Sequence, residues 1–171
     1  MAITKTITGT GAVAGTDFKE VKWVGLTKGG NAVTITLHNA INKGNIDWTF
    51  AEKNDVVPQI AFVGCYDNTN EAASSTVEPW EITIDGTLTA GASEIILGAG
   101  KFYIGATLVA LTRGGGQFTV EREYRDINAD GDRGTVKGRV VMESAKPTLT
   151  MNVLTMLTNI ADLYSSINVS A

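Results

Sequence analysis

The chain holds one cysteine, one histidine and three prolines in 171 residues. Lone Cys65 excludes an internal disulfide framework, and with His38 as the single imidazole the usual zinc ligand sets cannot be assembled. No run approaches the ~20 apolar residues of a membrane span. The opening Met1-Ala-Ile-Thr-Lys5 has no basic stretch leading into an apolar one, so no secretory leader is expected. Cations are scarce as well: 14 Lys and Arg face 18 Asp and Glu, for a net charge of −4 and an isoelectric point near 5.0. A protein that grips nucleic-acid backbone would have to gather its cations on one face against that field, and no basic block is present. His38 sits in an alternating strand pattern, so no nucleophile, base and orienting acid come together; neither an enzyme nor a cofactor nor a metal is expected.

What remains is the composition of a folded β domain. Hydrophobic residues make up 43% and charged residues 19%, which is globular rather than disordered. One domain of this length hides roughly 70% of the surface its unfolded chain exposes. Nineteen Gly and Thr throughout favour strands and tight turns. Alternation is plain at Ile3, Lys5, Ile7 against Thr4, Thr6, Thr8, and at Val33, Ile35, Leu37 against Ala32, Thr34, Thr36. Further strands are predicted at 21–25, 47–51, 59–66, 80–84, 94–97, 101–111, 117–125, 136–143 and 148–152, with Gly-rich or Asn/Asp-rich turns between them. One segment keeps a different period. Val153, Leu157, Ile160, Tyr164 and Ile167 are spaced four, three, four and three apart, which predicts an α-helix over 153–167 packing one apolar stripe on the sheet.

An internal repeat organises the chain. Residues 24–35, Val-Gly-Leu-Thr-Lys-Gly-Gly-Asn-Ala-Val-Thr-Ile, match residues 109–120, Val-Ala-Leu-Thr-Arg-Gly-Gly-Gly-Gln-Phe-Thr-Val, without a gap at an offset of 85. Six of the twelve positions are identical. Read as strand, Gly-Gly turn and strand in each copy, the repeat predicts a single mainly β domain, a sandwich or barrel of two similar β-units with one flanking α-helix.

Few motifs suggest chemistry. Asp126-Ile-Asn128-Ala-Asp130-Gly131 matches the opening of a calcium loop, but its twelfth position is Lys137 where a bidentate Glu belongs, so an acidic turn between strands is the expectation. Gly9-Thr-Gly11-Ala-Val-Ala-Gly15 has the wrong spacing for a dinucleotide fingerprint, and Gly98-Ala-Gly100-Lys101 lacks the pattern of a phosphate loop. Cys65 reads as a small residue in an apolar strand. The strand Val120-Glu-Arg-Glu-Tyr-Arg-Asp126 is unusual, with Arg122 sharing a face with Val120 and Tyr124 while Glu121, Glu123 and Arg125 share the other. Its expected partner strand places Lys137 and Arg139 on one face. Charges of both signs on both faces suit a projecting hairpin, either pairing with another subunit or solvated as an edge blunted against aggregation. The subunit-interface candidates are Arg122, Glu123, Arg125, Asp126, Asp130, Asp132, Arg133, Lys137 and Arg139.

Four stretches resemble the phage tail tube (major tail) protein family of long-tailed phages. They are Ala92-Ser-Glu-Ile-Ile-Leu-Gly-Ala-Gly-Lys-Phe-Tyr-Ile-Gly105, Thr112-Arg-Gly-Gly-Gly-Gln-Phe-Thr-Val-Glu-Arg-Glu-Tyr-Arg125, Ala129-Asp-Gly-Asp-Arg-Gly-Thr-Val-Lys-Gly-Arg139 and Leu149-Thr-Met-Asn-Val153. Asn39-Ala-Ile-Asn-Lys-Gly-Asn-Ile-Asp-Trp48, Val56-Val-Pro58 and Glu78-Pro-Trp-Glu81 add to it, so most of the chain is covered. In that family the segment similar to 92–169 usually precedes the one similar to 6–82. The resemblance therefore implies a circular permutation, natural or engineered, with a first β-unit at 1–85, a joint at 86–92 and a second β-unit with its helix at 93–171. It implies six copies closing into a ring, rings stacking into a hollow virion tail tube assembled in the bacterial cytoplasm, and contacts with itself and other tail proteins. DNA would pass through without specific binding, and no membrane is involved. Six chains at −4 each would leave the ring acidic, so that phosphates slide past. Two other readings stay open. One is a β-sandwich binding or adhesion module for carbohydrate or another surface, which would show an aromatic platform built from Trp23, Trp48 or Trp80. The other is an engineered assembly component, with Cys65 as a handle.

Overall fold

Among the described residues, nine strands and one short 3-10 turn occur, and every strand pairing is antiparallel. The computed structural model describes residues 6–9, 12–44, 56–66, 78–87, 96–127, 129–130, 134–154, 163 and 167–170, with backbone alone for 6–9, 97 and 167–170. The strands are β1 (Thr6–Gly9), β2 (Lys19–Thr27), β3 (Ala32–Asn42), β4 (Gln59–Gly64), β5 (Trp80–Ile84), β6 (Ile96–Ile104), β7 (Thr107–Asp126), β8 (Val140–Val153) and β9 (Ile167–Ser170). The predicted strand at 47–51 lies outside the described residues.

Seven strands form one sheet in the order β2-β6-β7-β8-β4-β3-β5, and β2 also pairs with β3. That extra pairing closes six of them into a barrel and leaves β5 as an added strand along β3. Closure removes the sheet edges that an open β domain must otherwise protect. β2, β3 and β4 form one contiguous half and β6, β7 and β8 the other, with seams at β2–β6 and β4–β8.

The repeat maps onto this arrangement unevenly. Residues 24–35 form the β2–β3 hairpin: the Gly30 amide donates to the Thr27 carbonyl at 2.9 Å, and Gly30 takes φ 88°. Three-residue hairpin loops place such a left-handed residue at their end. Residues 109–120 all lie within β7, so the expected turn there is absent. Gly115, the counterpart of Gly30, has φ 85°, but it serves a bulge between Thr112 and Gly116 where β7 leaves β6 and takes β8 as partner. One backbone requirement thus yields a reversal in one place and a bend in the other. The predicted strand 101–111 is instead a hairpin. It turns at Gly105 (φ 58°), whose amide donates to the Glu20 carbonyl of β2 at 2.8 Å.

Inward residues of both halves make the core: Val21, Leu37, Ile60, Phe62, Phe102, Leu149 and Met151 are at most 3% exposed. The Phe62 and Phe102 rings meet with centroids 5.6 Å apart. Trp23 lies over Gly25 and Gly100, where a methyl group would stand 2.2 Å from its indole, so glycine at both positions makes room for the ring. β3 bends at Asn39, whose φ of 46° suits an Asn, as it passes from β5 to β4.

The predicted helix over 153–167 is not seen: its two ends lie in strands, and residues 155–162 and 164–166 lie outside the described residues. Val153 closes β8 and Ile167 opens β9, and no helix of seven or more residues occurs among the described residues. Tertiary pairing claims both ends: Val153 is opposite Thr112 in β7, and Ile167 is opposite Gly9 in β1. Leu163, outside the predicted stripe, has helical backbone and is fully buried in the core. Its carbonyl accepts a hydrogen bond from buried Asn42 Nδ2 at 2.7 Å, and Asn42 Oδ1 accepts from the Gly44 amide at 2.7 Å.

Candidate assembly surface

β7 and β8 are longer than the barrel needs. Near the barrel β7 pairs with β6 and β8 pairs with β4, but from Glu121 to Asp126 and from Val140 to Lys146 the two strands pair only with each other among the described residues. The result is a two-stranded arm with two different faces. Direct cross-strand partners share a face. Phe118 and Leu149, Val120 and Pro147, and Arg122 and Ala145 therefore carry the barrel's interior face outward to Tyr124 and Met142 and then to Asp126 and Val140. Burial falls away along this row: Leu149 is 2% exposed and Ala145 7%, whereas Met142 is 40%, Val140 44% and Tyr124 55%. The arm thus ends in an apolar surface with no cover among the described residues.

The other face is charged and internally matched. Arg125 Nε donates to Glu143, Lys146 lies 3.8 Å from Glu121, and Ser144 Oγ donates to Glu123 at 3.3 Å. Exposed pairs of this kind contribute about 0–1 kcal/mol each, so they set the arm's shape and solubility more than its stability.

The sequence candidates fall in different places. Arg122 lies over the Trp80 ring, 5.9 Å from its centroid, and Trp80 meets Phe118 at 5.6 Å. This stack holds the root of the arm against β5. Glu123 and Arg125 belong to the charged face. Asp126 accepts a hydrogen bond from Thr135 Oγ1 at 2.7 Å, closing the far end of the arm, and Asp130 is exposed in a turn beyond it. Asp132 and Arg133 lie outside the described residues. Lys137 and Arg139 do not share a strand face as predicted. Gly138, at φ 85°, turns the chain, the Arg139 amide donates to the Val136 carbonyl at 3.0 Å, and β8 begins only at Val140. Sequence reasoning passed over Tyr124, Val140 and Met142 as surface residues; the run Val140-Val-Met142 beside a charged strand was the available signal.

A shallow groove of about 200 Å³ beside the β7 bulge is lined by Gln59, Gln117, Thr150, Met151 and Asn152 with three glycines, none of them ionisable. Among the described residues no group of His, Cys, Asp and Glu could hold a metal ion, and no helix is long and apolar enough to cross a membrane. Tyr66 donates to Glu78 Oε2 at 3.1 Å, and partial burial, then that carboxylate, raise its pKa above the ordinary value. No protein-family model, curated protein or solved structure matches the chain.

Proposed function

We propose that the chain is a self-assembling structural protein of the tail-tube kind, six copies closing into a ring and rings stacking into a conduit for phage DNA in the virion tail. The observation that carries this reading is the arm. Tyr124, Met142 and Val140 form an exposed apolar row on the two-stranded arm, and soluble monomers rarely leave such surface open without a partner. The barrel interior is filled by side chains, which suits a building block better than a small-molecule binder. A permuted order is supported by the pairing of β1 with β9, Thr6 opposite Ser170, since the two lie as consecutive strands of a meander would. The adhesion-module reading has less support. Trp23 is packed over glycines and Trp80 is stacked beneath Arg122, so neither offers an open platform, and Trp48 lies outside the described residues. Negative-stain electron microscopy of the purified protein tests the proposal: rings or tubes with a central channel are expected, and monodisperse monomer at every concentration and salt overturns it.

A further inference from the structure

β2 holds one side of β3 from Ala32 to Ala40, so β4 and β5 both lie on the other side, β4 against residues 40–42 and β5 against 33–37. β5 therefore continues the lane that β4 occupies between β3 and β8, and it runs antiparallel to the 140–146 stretch of β8. The two edges start together. A methyl group on Gly64 would stand 2.9 Å from the Pro79 carbonyl oxygen and 3.0 Å from Pro147 Cγ, so β4 ends where β5 and β8 meet. Beyond that apex no ladder joins them among the described residues, and a gap lies between β5 and residues 140–145. We propose that this gap closes within the chain: β5 pairs with the 140–145 edge of β8, and the arm moves between the open form of this structure and a closed form that hides part of its apolar row.

Register selects the partners. β3 has one extra residue between Leu37 and Ala40, and β8 has one extra, Glu143, between Met142 and Ser144. With both taken into account, Trp80 stands level with Ala145, Ile82 with Met142 and Ile84 with Val140. The root of the arm already obeys this alignment, since Arg122, the direct partner of Ala145, lies over the Trp80 ring. The next two levels are open, with Ile82 48% and Ile84 39% exposed, much as Met142 and Val140 are. On the opposite face Glu81 would meet Ser144 and Thr83 would meet Val141, so no like charges are opposed. Closure satisfies the backbone groups of both edges and joins the two apolar rows. A strand inserted from elsewhere would run parallel to one of the two edges, whereas direct closure keeps the antiparallel pairing found throughout the described residues. What opposes closure sits at the apex: Pro79 and Pro147 have no amide hydrogen, so the β4 ladder cannot simply be extended across it. The closed form covers Met142 and Val140 and so keeps the free chain from associating until the arm opens. That consequence rests on the assembly reading above; the closure itself does not.

The test uses the full chain in a Cys65→Ser background, diluted until it is monomeric. Two matched double variants, Ile82→Cys with Met142→Cys and Ile84→Cys with Val140→Cys, are oxidised beside a mismatched one, Ile82→Cys with Val141→Cys, whose second thiol starts on the opposite face. Directly opposed strand residues hold their Cα atoms roughly 4.5–5.5 Å apart, within disulfide reach. Both matched variants should form a disulfide inside one chain at least about tenfold faster than the mismatched one, read as loss of two free thiols with no dimer on a non-reducing gel. Equal rates for all three, or disulfides only between chains, mean that the gap does not close in this register. At higher concentration the oxidised 82–142 chain should stay monomeric in electron micrographs and assemble once reduced. Tubes formed by the oxidised chain would remove closure as a control on assembly and leave the assembly reading standing. If the parent never leaves the monomer, the assembly reading and its control both fall, and the trapping rates alone decide the closure.

Discussion

The inner and outer lengths of β7 and β8 are continuous strands with opposite surroundings. In the barrel their inward residues, Ala110, Leu149 and Met151, are at most 2% exposed and touch side chains from both halves of the chain. In the arm the same face continues through Tyr124 and Met142, which are 55% and 40% exposed. Backbone pairing is equally regular in both. What changes is the number of neighbouring strands, and with it the free energy each side chain contributes. Barrel residues hold the fold together, whereas beyond the Arg122–Trp80 stack the arm strands pair only with each other among the described residues.

Substitutions can sharpen or break that contrast, and the largest effect belongs to the barrel. Phe102→Ala removes a fully buried ring packed on Phe62, and urea denaturation should show a loss of about 3–5 kcal/mol. A loss no greater than that of an arm substitution would mean the barrel core is not as drawn. Gly100→Ala drives a methyl group into the Trp23 indole and should cost about 1–3 kcal/mol, with a change in tryptophan fluorescence. Unchanged emission would move Trp23 off that glycine pair. Asn42→Ala leaves the Leu163 carbonyl and the Gly44 amide without their partner, and about 1–3 kcal/mol should be lost in the same denaturation series. The smallest effect on folding belongs to the arm: Tyr124→Ala should change stability by no more than about 0.5 kcal/mol while rings and tubes disappear from micrographs. A Tyr124→Ala variant that unfolds like Phe102→Ala would dissolve the distinction between the two regions.

How much was legible along the chain depended on whether local period and tertiary pairing agreed. Trp80–Ile84 was predicted with the bounds it has, because its alternation ends on both sides in residues that stop a strand. At 101–111 alternation runs through a two-residue turn at Gly105, so two strands read as one. At Gly114 to Gly116 the error is the reverse. Three glycines look like a reversal, but β7 only bends there because β8 is waiting as the next partner. The four-three spacing over 153–167 misled at its ends, where Val153 and Ile167 are taken up by ladders with strands far off in sequence. Within the candidate surface, the two faces of residues 120–126 were read correctly from period two. The internal matching of Arg125 with Glu143 and the stack of Arg122 on Trp80 were not, since both depend on residues 18 and 42 positions away.

Composition and alternation alone decided that the chain is a β domain, that disulfide and zinc frameworks are closed to it, and that positions 120–126 carry two unlike faces. Only the tertiary structure decided that the sheet closes on itself, that one Gly-Gly pair reverses the chain while its counterpart merely bends it, and that Tyr124, Val140 and Met142 are left uncovered. Period two reports that successive side chains point to opposite sides, a property of each strand by itself. Which edge meets which is a long-range matter of register, settled when the barrel closes, and no local pattern encodes it.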